Sequence, residues 1–168
     1  MNLLLDTNII VDYVGEREPF FGPAQKVIAA GFFGDATLWT SAQSLKDAYY
    51  ILSNKTNQLH VQRALRQLLD IVSLVSLSAE DAKRGLYLEW DDYEDCIIAL
   101  CASRAKADYI ITRDKEGFTR SMVPAISPVA WATIMKEEHS LEYALAYFEN
   151  DHPSSKFNTV SISIKYYK

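Results

Sequence analysis

Short apolar runs alternate with longer amphipathic stretches along the chain, and this alternation sets the first expectation of its architecture. Leu3-Leu4-Leu5 is a continuous apolar run, the pattern of a strand buried on both faces of a sheet. Ile9, Ile10, Tyr13 and Val14 then fall at helical spacing behind Thr7 or Asn8 as cap. A second helix starts at Pro23, turns Ala24, Val27, Ile28 and Ala30 inward, and stops at Gly31 and Gly34. Residues 36–40 read as a strand, and Ser41 opens a helix whose stripe is Leu45, Ala48, Tyr49 and Leu52. Residues 57–70 form another amphipathic helix with Leu59, Leu65, Leu68 and Leu69 inward, followed by a strand over 71–75. Ser78 and Asp81 make a capping-box pattern for a helix through Ala82, Leu86 and Leu88 to Trp90. Ile97, Leu100 and Cys101 mark the next helix, and residues 107–112 the strand after it. Residues 123–127 suit a short edge strand, Pro128 starts a helix through Trp131 and Met135, and residues 141–148 suit a last short helix. From 157 to 166 apolar and polar residues alternate, the mark of a half-exposed antiparallel strand that pairs with its own sheet edge or with a partner.

Strands alternating with helices imply an α/β fold, a three-layer α/β/α sandwich with a central, mostly parallel sheet and a C-terminal strand extension. With 168 residues the chain has room for one core and not for two ordinary domains. A net charge of −5 argues against a protein that coats nucleic acid through bulk charge, though not against a nuclease whose site must itself be acidic. Cys96 and Cys101 lie on different sides of one predicted helix, so they read as small core residues in a reducing compartment. The N-terminus lacks a basic segment and a long apolar run, and no stretch approaches the roughly 20 apolar residues of a membrane span. The expectation is a cytoplasmic protein.

Polar residues stand where strands end. Asp6-Thr7-Asn8 follows the first strand at once, and Thr112-Arg113-Asp114 follows the fourth; open α/β sheets bind ligands at such carboxyl ends. A cap accounts for one polar residue after the first strand and leaves Asp6 over. Asp92-Tyr93-Glu94-Asp95 heads a helix, where Asp92 and Asp95 share a face and Glu94 points elsewhere. Asp47 lies nearly two turns into its helix, beyond the reach of the terminal dipole. Carboxylates converging without His or Cys among them are hard oxygen ligands, suited to Mg²⁺ or Mn²⁺ and poor for zinc. The chemistry that follows is hydrolysis of a phosphodiester. His60, His139 and His152 sit in unrelated polar contexts.

At these residues the chain resembles the PIN-domain ribonucleases, and within them the VapC-type toxins of toxin-antitoxin modules. The likeness rests on Leu4-Leu5-Asp6-Thr7-Asn8, on Thr40-Ser41 through Asp47-Ala48-Tyr49-Tyr50, on Asp92-Tyr93-Glu94-Asp95 and on Ala107-Asp108-Tyr109-Ile110-Ile111-Thr112-Arg113-Asp114. It covers residues 1–137, a PIN-like nuclease domain, and leaves 138–168 as a C-terminal helix and strand extension packed on the same domain. The resemblance implies catalytic Asp6, Asp47, Asp95 and Asp114, with Asp47 standing where the family usually has Glu. Asp6, Asp95 and Asp114 would hold the metal, supported by Asn8, Asp92 and Thr112. It further implies an endoribonuclease using Mg²⁺ or Mn²⁺ that leaves 5′-phosphate and 3′-hydroxyl ends, a homodimer, and an antitoxin across the groove. Arg17, Lys46, Arg113 and Lys115 are the nearest candidates for a basic rim against RNA, with Arg104 and Lys106 behind them. The competing reading is a catalytically weak or silent PIN-like domain that binds RNA or protein. A phosphatase of the haloacid-dehalogenase type would want an Asp two residues after Asp6, where Asn8 stands.

Overall fold

A computed structural model describes residues 1–147 and 160–166. The elements run β1 (Asn2–Leu5), α1 (Thr7–Val14), α2 (Phe21–Phe33), β2 (Thr37–Ser41), α3 (Ala42–Ser53), α4 (Gln58–Leu68), β3 (Val72–Val75), α5 (Ala79–Leu88) and α6 (Tyr93–Arg104). Then come β4 (Tyr109–Ile111), a 3₁₀ turn (Glu116–Phe118), β5 (Ala125–Ile126), α7 (Pro128–His139), β6 (Leu141–Tyr147) and β7 (Val160–Tyr166). The sheet has the order β3-β2-β1-β4-β5 with every pairing parallel.

The alternation of side chains along a strand divides the core into two. Leu3, Leu5, Leu38 and Ile111 pack with residues of α1, α2, α3, α4 and α7 on one face. Leu4 and Ile110 pack with Ile97, Ile98, Cys101 and Ala102 of α6 on the other. Leu3, Leu4 and Leu5 are all 0% exposed, which is why the opening run has no polar position. The result is the expected three-layer sandwich. Both cysteines are free and buried. Among the described residues no helix is long and apolar enough to cross a membrane.

Several helix starts fall where the sequence places them. Ser41 accepts from Ser44 N–H, Ser78 and Asp81 close a capping box, and Ser127 caps α7 with Pro128 in its first turn. Others differ. The cap of α1 is Asp6 itself, not Thr7 or Asn8. Leu59 and Leu86, expected inward, are 53% and 67% exposed, because Val61, Leu65 and Leu68 carry the buried stripe of α4 and Gly85 that of α5.

Of the helix expected over 141–148, residues 141–147 form a strand, and residue 148 lies outside the described residues. β6 pairs antiparallel with β7, from Leu141↔Tyr166 to Tyr147↔Val160, in a two-stranded sheet separate from the main one. The alternating segment thus finds its partner within the chain, while residues 157–159 of that expectation lie outside the described residues. The first turn of β6 is tied to the domain through Tyr143, 2% exposed, which stacks on Trp131 at 5.8 Å and donates to Asp35 Oδ2 at 2.9 Å.

The topology fixes where a site can form. β1 is central, with β2 on one side and β4 on the other, so the crossovers diverge at β1 and open a crevice at the carboxyl ends of β1 and β4. The parallel register sets Leu5 beside Ile111, and one residue further on Asp6 and Thr112 emerge together.

Candidate active site

Asp6 occupies the centre of this crevice, 4% exposed. Its Oδ1 accepts from Thr7 N–H at 2.6 Å, the helix cap, and its Oδ2 accepts from Thr112 Oγ1 at 2.7 Å and Asn8 Nδ2 at 2.5 Å. A carboxylate has about four acceptor positions, so one remains free. Asn8 Nδ2 also reaches Thr112 Oγ1 at 3.0 Å, and its Oδ1 accepts from Arg113 N–H at 3.3 Å. Asn8 and Thr112 therefore fasten α1 to the loop after β4 through the Asp6 carboxylate. Burial pushes the Asp6 carboxyl up to about 6 against the pull of hydrogen bonds from Thr112 and Thr7, with Glu94 and Asp114 adding to the rise.

Asp114 follows through the same hydroxyl: its N–H donates to Thr112 Oγ1 at 3.0 Å, and its Oδ1 accepts from Gly117 N–H at 3.3 Å. Asp95 comes from the first turn of α6, where Asp92 is the cap and accepts from Glu94 and Asp95 N–H at 2.7 and 3.3 Å. Burial, then Asp92, Asp6, Asp114 and Glu94, push the half-buried Asp95 carboxyl up to about 7. Gly117 shows how tightly these groups meet. A Cβ on it would lie 2.0 Å from Asp95 Oδ2 and 3.7 Å from Asp114 Oδ2, so both carboxylates converge on a point that only glycine leaves open.

Glu94 is the residue that sequence reasoning missed. Expected to point away, it turns toward the crevice, where Oε1 accepts from Thr7 Oγ1 at 3.4 Å. Loss of surrounding water, then Asp47 and Asp92, push its carboxyl up. The wheel that set Glu94 aside counted Asp92 as helical, yet Asp92 is an extended cap at φ −116 and ψ 117.

Asp47 is differently placed. Its Oδ2 accepts from Gln43 Nε2 at 2.6 Å and its Oδ1 from Lys46 Nζ at 2.7 Å. Of the rim candidates, Lys46 is thus paired with Asp47, and Arg17 and Arg113 flank Asp12, a residue the sequence reading passed over. Asp12 is 0% exposed, with Arg113 Nε 2.7 Å from Oδ2 and Arg17 Nη1 3.7 Å from Oδ1, close enough to pair but poorly aligned for hydrogen bonds. The Arg113 guanidinium also lies 4.1 Å over the Phe20 ring. Lys115 is exposed at the head of the 3₁₀ turn. Arg104 pairs with Asp81, away from the crevice.

Among the described residues no group of three or more Asp, Glu, His or Cys side chains is already assembled as a metal-holding set. The side chains nevertheless fit a hard divalent cation in kind: Asp6, Asp95 and Asp114 offer carboxylate oxygens, Asp114 adds to the rise of both other carboxyls, and Asp6 adds to that of Asp95.

A family model described as PIN domain matches residues 2–116. No curated protein matches the chain. Among solved structures, VapBC2 from Rickettsia felis bound to a DNA fragment from its promoter is similar, with 18% identity, 76% of this chain and 98% of that one covered, and a TM-score of 0.58. VapBC-1 from nontypeable Haemophilus influenzae gives 19% identity, 77% and 99% coverage and 0.57. Mycobacterium tuberculosis VapC20, described as a Sarcin-Ricin loop cleaving toxin, gives 12%, 70% and 94%, and 0.58. At these identities the similarity speaks to fold.

Proposed function

This chain belongs to the PIN domain family, and from that premise we propose that it is a metal-dependent endoribonuclease, the toxin of a toxin-antitoxin module. The reading is supported by the placement of Asp6, Asp95 and Asp114 around the switch point of the sheet, where burial first and neighbouring carboxylates second push the Asp6 and Asp95 carboxyls up to about 6 and about 7. Asp6, Asp95 and Asp114 would hold a Mg²⁺ or Mn²⁺ ion. When bound, such an ion stabilises charge developing on the phosphoryl oxygens and lowers the pKa of water.

The chain's own part is positional and electrostatic. Thr112 and Asn8 orient the Asp6 carboxylate, Asp92 fixes the first turn of α6 and with it Asp95, and Gly117 leaves space between Asp95 and Asp114. RNA brings further negative charge to an acidic crevice, so cations must meet its phosphates. Arg17, Lys46, Arg113 and Lys115 take that role in this reading, their partners Asp12 and Asp47 holding three of them beside the crevice. In this reading residues 1–137 are the nuclease unit and 138–168 its extension, whose described part is held to the unit through Tyr143. An antitoxin partner, supported by likeness to VapBC and other toxin-antitoxin structures, and a homodimer complete the proposal. Purification with the product of the neighbouring reading frame, with the mass of the complex measured by light scattering, tests both.

The catalytically silent alternative draws on one specific observation, that Asp47 is taken up by Gln43 and Lys46. Cleavage of RNA with Mn²⁺, its loss with chelator, and its abolition by Asp6→Asn or Asp95→Asn support the nuclease. Undiminished cleavage in either variant would remove the assignment, and specific RNA binding without turnover would favour the silent domain.

A further inference from the structure

We infer that Glu94, and not Asp47, supplies the fourth carboxylate that this site turns toward its divalent cation; the inference rests on the nuclease reading above. Two facts of geometry carry it. Glu94 Oε1 lies 3.4 Å from Thr7 Oγ1, and the N–H of that same Thr7 lies 2.6 Å from Asp6 Oδ1, so Glu94 is anchored one residue from the central acid. Asp47, in contrast, has one oxygen 2.6 Å from Gln43 Nε2 and the other 2.7 Å from Lys46 Nζ. Its charge is met locally, and turning it toward a cation would strand Lys46 and Gln43.

Reach and charge agree with this assignment. Glu94 comes from α6, the helix that also carries Asp95, and its extra methylene spans from that helix to the start of α1. The long contact to Thr7 is the one hydrogen bond of its side chain among the described residues, which leaves its acceptor positions largely open. The charge of Glu94 bears on Asp6 and Asp95 as well as on Lys46, whereas that of Asp47 bears on Glu94 and on Lys46 and on neither Asp6 nor Asp95. Asp47 thereby becomes an outer acid whose work is to hold Lys46 at the rim.

Titration of the full chain with Mn²⁺ alone, followed calorimetrically and by the loss of the free-ion magnetic resonance signal, tests the inference without RNA. Glu94→Gln is expected to weaken Mn²⁺ binding at least about tenfold and Asp47→Asn to leave it within about threefold, since such losses fall on ligands and on the groups that hydrogen-bond them, and Asp47 bonds only Gln43 and Lys46. Glu94→Asp, one methylene short, is expected to fall between. Melting curves without metal establish that each variant is folded, and Glu94 is exposed enough for its amide to be tolerated. Weakened binding in Asp47→Asn with Glu94→Gln unaffected would overturn the inference and leave the nuclease reading standing. Equal losses in both would overturn the exclusion of Asp47. No Mn²⁺ binding by the parent chain at millimolar concentration would overturn the nuclease reading itself, and the inference with it.

Discussion

Asp6→Asn should stabilise the metal-free protein at neutral pH and destabilise it in acid. The folded Asp6 carboxyl keeps its proton up to about 6, whereas the ordinary value is 3.8. Folding therefore takes up a proton between those values, and stability is greatest below the lower one and falls as pH rises through the upper. With Asp6 only 4% exposed, the difference corresponds to about 3 kcal/mol lost by pH 7.5. Asparagine removes that penalty. It also loses acceptance from one or two of the three donors Thr7, Asn8 and Thr112, at about 1 kcal/mol each. The net is a gain of about 1–2 kcal/mol at pH 7.5, or about 2–8 °C in melting temperature, and a loss of about 1–2 kcal/mol at pH 4, where the folded Asp6 is protonated and as neutral as asparagine. Denaturant unfolding in chelator at pH 4, 5.5 and 7.5, followed by tryptophan fluorescence, reads the crossover. Saturating Mn²⁺ should reverse the order at pH 7.5, because only the parent chain gains from binding. A variant that is less stable than the parent by the same amount at all three pH values would refute the reasoning.

Gly117→Ala should keep the fold and lose the ion, because the added methyl 2.0 Å from Asp95 Oδ2 displaces a side-chain end and not backbone; calorimetry should show at least about tenfold weaker Mn²⁺ binding with an unchanged circular dichroism spectrum. Asp12→Ala strands Arg113, whose side chain is 32% exposed and reaches water, so the cost should be about 2 kcal/mol in urea unfolding, below the 3–5 of a fully buried pair. Trp131→Ala empties a site that is 0% exposed and should cost about 3–5 kcal/mol, while Tyr143→Phe should cost about 1 kcal/mol through the bond to Asp35. Equal costs for those last two would mean that the hairpin is held by the hydroxyl and not by packing.

The sheet was readable because β1 and β4, covered on both faces, carry runs of apolar residues, so Leu3 to Leu5 and Ile110-Ile111 stand out and the acids after them stand out too. The caps were readable because Ser41, Ser78 and Ser127 act within three residues of themselves. What depends on distant chain was not. Asp12 sits in a helix pattern like any polar residue, and its partner Arg113 arrives only when β4 pairs with β1. Residues 141–147 alternate Leu, Tyr, Leu and Tyr with Glu and Ala, a strand period that the helix preference of Leu and Ala outweighed until β7 supplied the pairing. Glu94 was lost to a single residue of phase, since a cap outside the helix has no place on its wheel.

The same topology that gathers the acids also limits what else could stabilise them. In a parallel sheet a helix that follows a strand, or precedes the next one, begins at the carboxyl edge, so α1 and α6 both start at the crevice, with Asp6 and Asp92 as their caps. Their dipoles offer the carboxylates roughly 0.3–1 kcal/mol each. Holding Asp6 ionised at neutral pH already costs about 3 kcal/mol by the rise of its carboxyl to about 6. Asp95, raised to about 7 by burial first and then by Asp92, Asp6, Asp114 and Glu94, adds to that cost. Two helix ends therefore fall short. The guanidinium of Arg113 does not close the gap, because it is committed to Asp12 and Phe20. A divalent cation brings two full charges to the one place where these oxygens meet, and its attraction grows with every carboxylate that repels the others. In the proposed nuclease the crowding that destabilises the metal-free fold is thus what a cation would relieve, and each acid removed should lower Mn²⁺ affinity while stabilising the metal-free protein.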